Sequence, residues 1–446
     1  MLVVLNQSID FVALHAAYPE RYPFLLESVV SGQQARYDIL FAYPQKQVVL
    51  HAQHAVSVDD VAVSTSFLKT FEQHWQACNA TMGKIQHQCL PFSGGWFVYL
   101  GYELAQEIEP TLRLPAHTSN QPTAYAVRIP VALIYDHQTA QTTLFAEDGQ
   151  TSAAAQVQVD CNAVSACPIP SKPLADLHEE SAESFMQGVE AIKRYIVDGD
   201  VFQVNLSRAW QGCLRPNVSA TDVYRSLRQT NPAPFAGLAT FAGHSICSSS
   251  PERLVCVRDG WVQARPIAGT RPRSAQMATD QNLAQALLAH PKERAEHVML
   301  IDLVRNDLGR LCRAGSVEVD EFMRLESYAH VHHIVSNVKG QLREGISPSD
   351  VIAATFPGGT ITGCPKVRCM QIIAELEQQT RKAYTGAMGY VNHDGSLDLN
   401  ILIRTLNVSA QQCHFRAGAG IVADSDPSKE LAETRAKAKG LIQCLV

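Results

Sequence analysis

The chain of 446 residues contains no long run of basic residues and no stretch of about 18 apolar residues. Lys and Arg total 37 against 43 Asp and Glu, a net charge of −6, which does not suit a row of nucleic-acid phosphates. The first residues lack the positive segment and the small-residue cleavage site of a signal peptide. We therefore expect a cytoplasmic protein that binds neither nucleic acid nor membrane.

Paired cysteine motifs are also absent. The 12 cysteines include no Cys-x-x-Cys pair, so the sequence favours neither a zinc ribbon nor, at this length, a disulfide framework. Apolar residues make up 46% and charged residues 18%, which is typical of a globular protein and excludes a fibrous or disordered chain. At about 100 to 200 residues per domain, the length predicts two or three domains, or one large domain with subdomains.

The residue pattern changes near residue 175. Before it, alternating or continuously apolar runs between Gly and Pro predict strands, at 36–43, 46–52, 94–102 and 126–136. Residues 151–182 are rich in Ala, Ser and Pro without a sustained helical period, which predicts a linker or a loosely packed crossing segment. We divide the chain into an N-terminal region, 1–165, a linker, 166–182, and a C-terminal region, 183–446.

The C-terminal region mixes helical and strand patterns. Its first helix places Phe185, Val189 and Ile192 on one stripe and ends at Gly199. The strand that follows puts the two amides of Gln203 and Asn205 on one face. Further helices are predicted over 291–310, 348–356 and 365–380, and strands over 399–410 and 413–423. The pattern predicts an α/β protein with mixed strand neighbours.

Two motifs suggest ligand sites only weakly. Gly418, Gly420 and Ala423 match G-x-G-x-x-A, but the next helix starts only at Pro427, so a dinucleotide site is rejected. Glycines at the end of a strand instead favour close approach of backbone N–H groups to an anion. The turn at 356–366 lacks the Gly-Lys-Ser/Thr ending of a phosphate loop but still offers N–H donors.

Three histidines, His330, His332 and His333, form a metal-binding cluster by composition alone. At the strand period the first two share a face and the third does not, so a transition-metal site is not favoured.

Two predicted helices carry paired carboxylates. Glu293 and Glu296 are three residues apart on one helical face, and Glu430 and Glu433 repeat this spacing with Lys437 four residues further on. This spacing is also explained if each helix exposes its acidic face to solvent and forms ion pairs within the helix. If the faces meet instead, the four carboxylates repel each other unless a cation lies among them. Hard oxygen ligands suit Mg²⁺.

Seven segments, in order, resemble those of the chorismate-utilising enzymes, specifically the large subunits of anthranilate synthase and aminodeoxychorismate synthase. They are SSSPERL (248–254), RPIAGTRPR (265–273), KERAEHVMLIDLVRNDLGR (292–310), FPGGTITGCPK (356–366), YTGAMGY (384–390), LNILIRT (399–405) and AGAGIVADSDPSKELAETRAKA (417–438). The N-terminal region resembles that of anthranilate synthase component I more loosely. The resemblance implies one large α/β unit of two face-to-face antiparallel sheets with helices outside, and a chorismate–Mg²⁺ site in the cleft.

The resemblance also implies roles for individual residues. Glu296 and Glu433 match direct Mg²⁺ ligands, and Glu293 and Glu430 ligands that act directly or through water; the ion holds the ring carboxylate. The other matched substrate contacts are Lys437 and Gly420 for the ring carboxylate, and Arg404 and Tyr384 for the enolpyruvyl carboxylate. Glu252 matches the general acid for the C4 hydroxyl, which requires a raised pKa. Thr270 and His333 match residues around the leaving group, and Gln203 is expected to orient the nucleophile.

The two subfamilies differ at a few positions, and the chain shares features with both. Aminodeoxychorismate synthases typically carry a lysine that attacks ring C2 where this chain has Ala268, as anthranilate synthases do, and alanine is no nucleophile. Gly358, Gly359 and Asn400 resemble the aminodeoxychorismate type. We favour that type, with ammonia adding at C4 without an enzyme-bound intermediate or with another residue substituting. The alternatives are anthranilate synthase and a non-catalytic regulatory subunit that binds chorismate or tryptophan.

Two partners follow from the resemblance. Ser28 lies in a segment, LLES, that resembles the tryptophan-pocket motif, so tryptophan is a candidate bound ligand. The remaining length shows no glutaminase domain, so ammonia is expected from a separate glutamine amidotransferase subunit or from solution. A partner interface is therefore expected.

Overall fold

The computed structural model describes residues 1–30, 36–81, 90–116, 120–165, 173–274, 276–327 and 331–446. The strands in these ranges are β1 Leu2–Leu5, β2 Phe24–Glu27, β3 Tyr37–Ala42, β4 Gln47–Leu50, β5 Val56–Val58, β6 Val61–Val63, β7 Gly95–Leu100, β8 Ala124–Ile129, β9 Val131–Asp136, β10 Gln141–Ala146, β11 His178–Glu179, β12 Gln203–Cys213, β13 Phe235–Phe241, β14 His244–Ser250, β15 Arg253–Arg258, β16 Trp261–Ala264, β17 Ile267–Pro272, β18 Glu318–Ser327, β19 Val331–Gln341, β20 Gly363–Cys364, β21 Ala387–Asn392, β22 Leu397–Ile401, β23 Thr405–Ser409 and β24 Gln412–Ile421. The helices are α1 Phe11–Ala17, α2 Phe67–Thr81, α3 Ala105–Ile108, α4 Thr151–Ala163, α5 Ala182–Val197, α6 Ala220–Thr230, α7 Met277–Ala289, α8 Pro291–Gly309, α9 Pro348–Thr355, α10 Lys366–Glu377 and α11 Pro427–Leu445. Short 3₁₀ helices span Tyr102–Leu104 and Gly359–Ile361.

The strands form two sheets of 12 strands each. The first sheet has the order β1-β10-β9-β3-β2-β13-β14-β23-β24-β12-β11, with β20 beside β12. The second has the order β17-β19-β16-β15-β22-β21-β7-β8-β4-β5-β6, with β18 beside β19. Strands of the N-terminal region pair with strands of the C-terminal region in both sheets, through β2 with β13 and β7 with β21.

Strand β7 shows how the sequence pattern builds the layers. Every residue of Gly95–Leu100 is buried, so both faces of the strand are covered. Successive side chains point to opposite faces, and Trp96 and Val98 enter a core shared with helices α8 and α9, whereas Phe97 and Tyr99 enter a second core. A strand buried on both faces requires the continuous apolar run from which it was predicted.

The two sheets pack face to face through an aromatic core. Phe24 of the first sheet stacks on Phe97 of the second, with ring centroids 4.1 Å apart and ring planes 3° apart. Helices cover the outer faces: Ala438 and Leu441 of α11 pack against the first sheet, and Ile301 of α8 packs against the second. The predicted fold, a sandwich of antiparallel sheets with helices outside, is confirmed.

The helix boundaries follow the predicted signals. Helix α5 buries Phe185, Val189 and Ile192 and ends just before Gly199, whose φ of +83° is the left-handed conformation that glycine favours. Asp426 caps α11, because its side chain accepts hydrogen bonds from the N–H groups of Ser428 and Lys429, each 3.0 Å long.

The prediction of a non-helical segment over 151–163 is wrong, because these residues form α4. Alanine has the highest helix propensity, and the segment carries several alanines. The buried stripe includes a polar residue, Asp160, whose Oδ2 accepts hydrogen bonds from Arg21 (2.5 Å) and Tyr22 (2.6 Å). A carboxylate in the buried stripe breaks the apolar period on which the prediction relied.

The structure bears on two expectations from the composition, which concern the cysteines and membrane-spanning helices. Apart from Cys78, the cysteines in the described ranges are free thiols. No helix within these ranges combines the length and the apolar character needed to cross a membrane.

Candidate active site

The candidate site lies where two chain segments cross from one sheet to the other. Glu252 follows β14 of the first sheet and precedes β15 of the second, while Arg404 lies between β22 of the second sheet and β23 of the first. The crossings are hydrogen-bonded side by side: Ile401 N–H donates to the Glu252 carbonyl over 3.0 Å, and Ser249 N–H donates to the Arg404 carbonyl over 3.1 Å. The backbone therefore holds these two side chains on one wall.

Glu252 is a buried carboxyl group with a pKa near neutrality. Glu252 is 6% exposed, and burial raises the pKa of its carboxyl group to about 7. Three groups oppose this rise: Thr360 Oγ1, which donates to Oε1 over 2.9 Å, a hydrogen bond with the backbone of Ile267, and the positive charge of Lys437. A carboxyl group with this pKa holds a proton in a large fraction of molecules at pH 7, as a general acid must.

Gln203 and Gly420 meet on neighbouring strands of the first sheet. In the β12–β24 ladder Gly420 pairs with Asn205, and a side chain at Gly420 would collide with Gln203 Nε2. Gln203 Nε2 donates to Glu296 Oε1 over 3.1 Å. Gln203 Oε1 is buried and has no hydrogen-bond partner among the described residues. The polar strand face predicted from the sequence thus meets the acidic face of α8.

The acidic faces of α8 and α11 act on each other electrostatically. Burial raises the pKa of Glu296, and the negative charges of Glu293 on the same helix and Glu433 on α11 raise it further. Glu430 lies in the first turn of α11 and is 9% exposed. Glu433 Oε1 lies 2.7 Å from Lys437 Nζ, which also donates to the Gly418 carbonyl over 3.0 Å. The two faces therefore approach each other rather than pointing apart into solvent.

These carboxylates have the chemistry of a Mg²⁺ site but are not gathered as one. In the ranges that the structure covers, no group of three or more His, Cys, Asp or Glu residues is arranged to hold a metal ion. The mutual repulsion at Glu296 fits a divalent cation, and carboxylate oxygens are the ligands Mg²⁺ prefers. Glu433 is paired with Lys437, so a metal ion would compete with that ammonium group for the carboxylate.

The second sheet contributes β17 and β19. Ala268 pairs with Ile334 and Thr270 with His333; the Thr270 side chain lies outside the described part of the structure. His333 is 3% exposed, and burial and the charge of Arg404 lower its pKa to about 4. The imidazole is therefore neutral at pH 7 and acts as a hydrogen-bonding group rather than a cation. Ala268 is buried and presents only a methyl group.

Arg404 is a half-buried cation with no anionic neighbour in the part of the chain that the structure describes. Burial lowers its pKa, and among the described residues no side chain or carbonyl accepts a hydrogen bond from its guanidinium and no carboxylate pairs with it. Since a buried charge is costly unless it is paired, this arrangement suits an anionic ligand, and a guanidinium binds a carboxylate through two parallel hydrogen bonds.

Tyr384 presents its hydroxyl to a space left by glycine. A Cβ atom at Gly418 would lie 2.6 Å from the Tyr384 hydroxyl and 2.7 Å from Asn205 Oδ1. Burial raises the pKa of Tyr384 to about 12, so the hydroxyl stays protonated and able to donate. The guanidinium of Arg381 lies 5.4 Å from the centre of the Tyr384 ring.

Sequence reasoning missed the buried charges behind Tyr384. Glu377 joins two arginines: Arg381 Nη2 lies 2.6 Å from its Oε1 and Arg416 Nη2 lies 3.2 Å from its Oε2, and all three side chains are 1% exposed. The pairing holds the pKa of Glu377 below its usual value although burial opposes this. Glu377 and Arg381 are only four residues apart, but Arg416 lies on β24, so no local pattern reveals the whole network.

Thr360 was missed as well. The turn that contains it was expected to offer backbone N–H groups to an anion. In the structure the N–H groups of Ile361 and Thr362 donate to carbonyls within the same turn, and the turn instead directs the Thr360 hydroxyl to Glu252. Its position inside one of the seven matched segments was the available signal.

Ser28 lies away from these groups, just after β2. Its N–H donates to Asp38 Oδ1 over 2.7 Å and its hydroxyl to the Pro234 carbonyl over 3.3 Å. The neighbouring Glu27 carboxylate accepts from the Tyr224 hydroxyl over 2.6 Å, and burial raises the Glu27 pKa to about 7. The tryptophan pocket stays a prediction.

The structure describes the glycine motif fully and the histidine motif in part. Strand β24 runs to Ile421 and α11 starts at Pro427, so no helix opens among the glycines. Both ring nitrogens of His332 are engaged, one with Asp280 at 3.0 Å and one with Ser327 at 2.7 Å. His330 lies outside the described residues, so the motif of three histidines stays untested.

Comparison with known proteins gives concordant matches. A sequence model described as chorismate binding enzyme matches residues 24–443. "Anthranilate synthase component I-like protein" of Synechocystis is 44% identical over 358 residues, which are 80% of this chain and 73% of the relative. "Aminodeoxychorismate synthase component 1" of Bacillus subtilis is 37% identical over 447 residues, covering 96% of this chain and 93% of the relative.

A solved structure is similar as well. The crystal structure of anthranilate synthase component I from Streptococcus pneumoniae superposes with a TM-score of 0.81 at 31% identity and covers 92% of this chain and 93% of that chain. The similarity extends over both sheets.

Proposed function

The chain belongs to the chorismate binding enzyme family, and on this premise we propose that it is component I of an aminodeoxychorismate synthase. It aminates chorismate at C4 with ammonia, in the cytoplasm, on the route to para-aminobenzoate and folate. Enzymes of this family are generally Mg²⁺-dependent, and we include Mg²⁺ as the cofactor.

One observation carries the choice of ammonia as nucleophile. Gln203 Oε1 is a buried acceptor without a partner in the described structure, and its amide orientation is set by the hydrogen bond from Nε2 to Glu296. An unsatisfied buried acceptor costs about 1–3 kcal/mol. An N–H group of ammonia satisfies it while the lone pair stays free to attack. Water would need a base to become a nucleophile, and ammonia does not.

The other residues divide the remaining tasks. Glu252 donates its proton to the C4 hydroxyl, the C4–O bond breaks and water leaves, while a C–N bond forms and the ammonia nitrogen then releases a proton to solvent. Arg404 and Tyr384 hold the enolpyruvyl carboxylate, and Thr270 and His333 hydrogen-bond around the leaving group. Lys437 and the backbone at Gly420 hold the ring carboxylate. Bound Mg²⁺, held by Glu296 and Glu433 with Glu293 and Glu430, supplies positive charge to that carboxylate.

Amination at C4 is supported by sequence features. Gly358, Gly359 and Asn400 resemble the aminodeoxychorismate type, and the relative of that name in Bacillus subtilis aligns over 96% of this chain. The Asn400 amide oxygen accepts a hydrogen bond from the Met388 N–H and its amide nitrogen donates to the Phe235 carbonyl, so the side chain is held between neighbouring strands. Since Ala268 cannot attack the ring, ammonia adds directly.

Anthranilate synthase is the second candidate. Ala268 favours it, and so do the anthranilate synthase component I of Streptococcus pneumoniae and the protein of Synechocystis named as similar to that component. That reaction aminates C2 and releases pyruvate.

One incubation separates the candidates. The protein is mixed with chorismate, Mg²⁺ and ammonium, and the product is analysed by mass and fluorescence. A product that keeps the enolpyruvyl group supports our proposal. Pyruvate release with anthranilate fluorescence overturns it in favour of the second candidate. Chorismate binding without any turnover identifies a regulatory subunit instead.

We also propose two partners. A glutamine amidotransferase subunit delivers the ammonia, and adding such a subunit should make turnover dependent on glutamine. Tryptophan binds at Ser28, and titration calorimetry with tryptophan should detect heat that the Ser28→Phe variant loses; equal heats in both proteins contradict this site.

A further inference from the structure

Glu252 borders a narrow crevice between the second sheet, α8 and the turn before β20. The wall includes Thr360, Asp307 and Arg265 beside apolar residues such as Leu254 and Leu308. Gln203, His333 and Lys437, which we assign to the substrate side, do not line it. Glu252 and Thr360 both line the crevice.

The turn that carries Thr360 is held from several directions. The Thr362 hydroxyl donates to the Gly358 carbonyl over 2.9 Å, which closes the turn. Gly359 packs against Leu303 of α8, where an added Cβ would lie 3.2 Å from the leucine Cβ. Just after the turn, Lys366 pairs with Asp307 of α8 over 2.7 Å. These contacts fix the place of the Thr360 hydroxyl.

We propose that Thr360 is the positioning residue of the general acid: its hydroxyl donates to Glu252 Oε1 and so leaves Oε2 to carry the proton that goes to the leaving hydroxyl. This inference rests on the proposed function. Neither the sequence patterns nor the matched roles assigned Thr360 a task.

The remaining charges around Glu252 have other partners. Arg253 pairs with Asp398 over 2.8 Å, Arg265 pairs with Glu321 over 2.5 Å, and Asp307 pairs with Lys366. Lys437 acts on Glu252 through its charge, from α11. Among side chains, Thr360 thus supplies the direct hydrogen bond that favours the charged form of Glu252 against burial. Loss of the hydroxyl should raise the pKa of Glu252.

The test compares Thr360→Val, which keeps the shape but removes the donor, with Thr360→Ser, which keeps the donor. The Val variant should lower kcat about tenfold or more, change the KM for chorismate by less than about twofold, and move the basic limb of the kcat profile upward by about one pH unit. The Ser variant should return the basic limb of the kcat profile to its wild-type pH. If Val impairs folding, Thr360→Ala replaces it.

A second readout needs no substrate. Infrared difference spectra between each protein and its Glu252→Gln derivative isolate the Glu252 carboxyl band, which is titrated from pH 5 to 9. An upward shift in the Val variant with recovery in the Ser variant supports the inference. Coincident titrations in all three proteins overturn it, whatever happens to kcat. If the wild-type protein never consumes chorismate but the carboxyl titration shifts, the proposed function fails and the Thr360–Glu252 relationship stands.

Discussion

Gln203 donates its side-chain N–H to Glu296 over 3.1 Å, so the first residue of β12 meets the acidic face of α8. This contact orients the amide and turns its oxygen into a buried acceptor without a described partner. One hydrogen bond thereby relates the carboxylates expected to hold Mg²⁺ to the group expected to orient ammonia.

We predict that Gln203→Leu raises the ammonium concentration needed for half-maximal rate about tenfold, because the acceptor for the nucleophile is lost. Chorismate affinity should change little. Steady-state rates at varied ammonium and at varied chorismate measure the two effects. Gln211→Leu, the same change at an exposed position of β12, is the control. A uniform loss of rate at every ammonium concentration contradicts the assignment.

The pH dependence should follow Glu252. The acid works only when protonated, and burial raises its pKa to about 7, so at a fixed concentration of unprotonated ammonia the activity should be high below this pH and fall as pH rises through it. Glu252→Gln should lower kcat by about 100- to 10,000-fold while chorismate still binds. Rates from pH 5 to 9 and calorimetric binding measure these outcomes. Glu190→Gln, at an exposed helical position, should behave as wild type. Unchanged turnover in Glu252→Gln removes the acid assignment.

The sequence predicted those parts of the fold that have a local cause. The apolar run of β7 and the Asp426 cap of α11 each reflect interactions within a few residues or a uniformly buried environment. Helix α4 escaped prediction because Asp160 is buried only through its contacts with Arg21 and Tyr22, far away in sequence.

In the candidate site, too, the features with a local cause were predicted and the contacts between distant residues were not. The helix spacing of Glu293 and Glu296 is local and was visible, and so were the paired amides of β12. The contact between Thr360 and Glu252 joins residues 108 positions apart, and the salt bridge between Glu377 and Arg416 joins α10 to β24. Such contacts depend on how the sheets pack, and the period of one segment does not reveal them.

Metal removal should abolish turnover reversibly. We predict that a chelator stops the reaction, that Mg²⁺ restores it, and that Glu296→Gln weakens Mg²⁺ binding by about tenfold or more because a charged ligand is lost. Burial and neighbouring carboxylates raise the Glu296 pKa, so protons compete with the ion and Mg²⁺ binding should weaken as pH falls. Calorimetric titration with Mg²⁺ alone measures this. Asp302→Asn, on the exposed side of the same helix, is the control. Equal Mg²⁺ affinity in Glu296→Gln rules out this ligand.

Replacing Arg404 should stabilise the folded protein and weaken chorismate binding. Its guanidinium is half-buried and has no carboxylate partner in the described structure, so replacing it with an apolar side chain of similar length relieves the cost of an unpaired charge. We predict that Arg404→Met raises Tm by about 1–2 °C. The same variant should bind chorismate about 100-fold or more weakly, because a bidentate contact to a carboxylate is lost.

Arg253→Met is the matched control for Arg404→Met, because the chemical change is identical but the partner differs. Arg253 pairs with Asp398 over 2.8 Å, and its removal leaves that carboxylate partly buried and unpaired, so Tm should fall. Thermal unfolding and chorismate titration of both variants measure the contrast. A lower Tm in Arg404→Met, as in Arg253→Met, means that the Arg404 guanidinium already has a stabilising partner in the folded protein. The role of Arg404 as a binding group for the substrate carboxylate would then be wrong, because a guanidinium with that role has no anionic partner in the substrate-free protein.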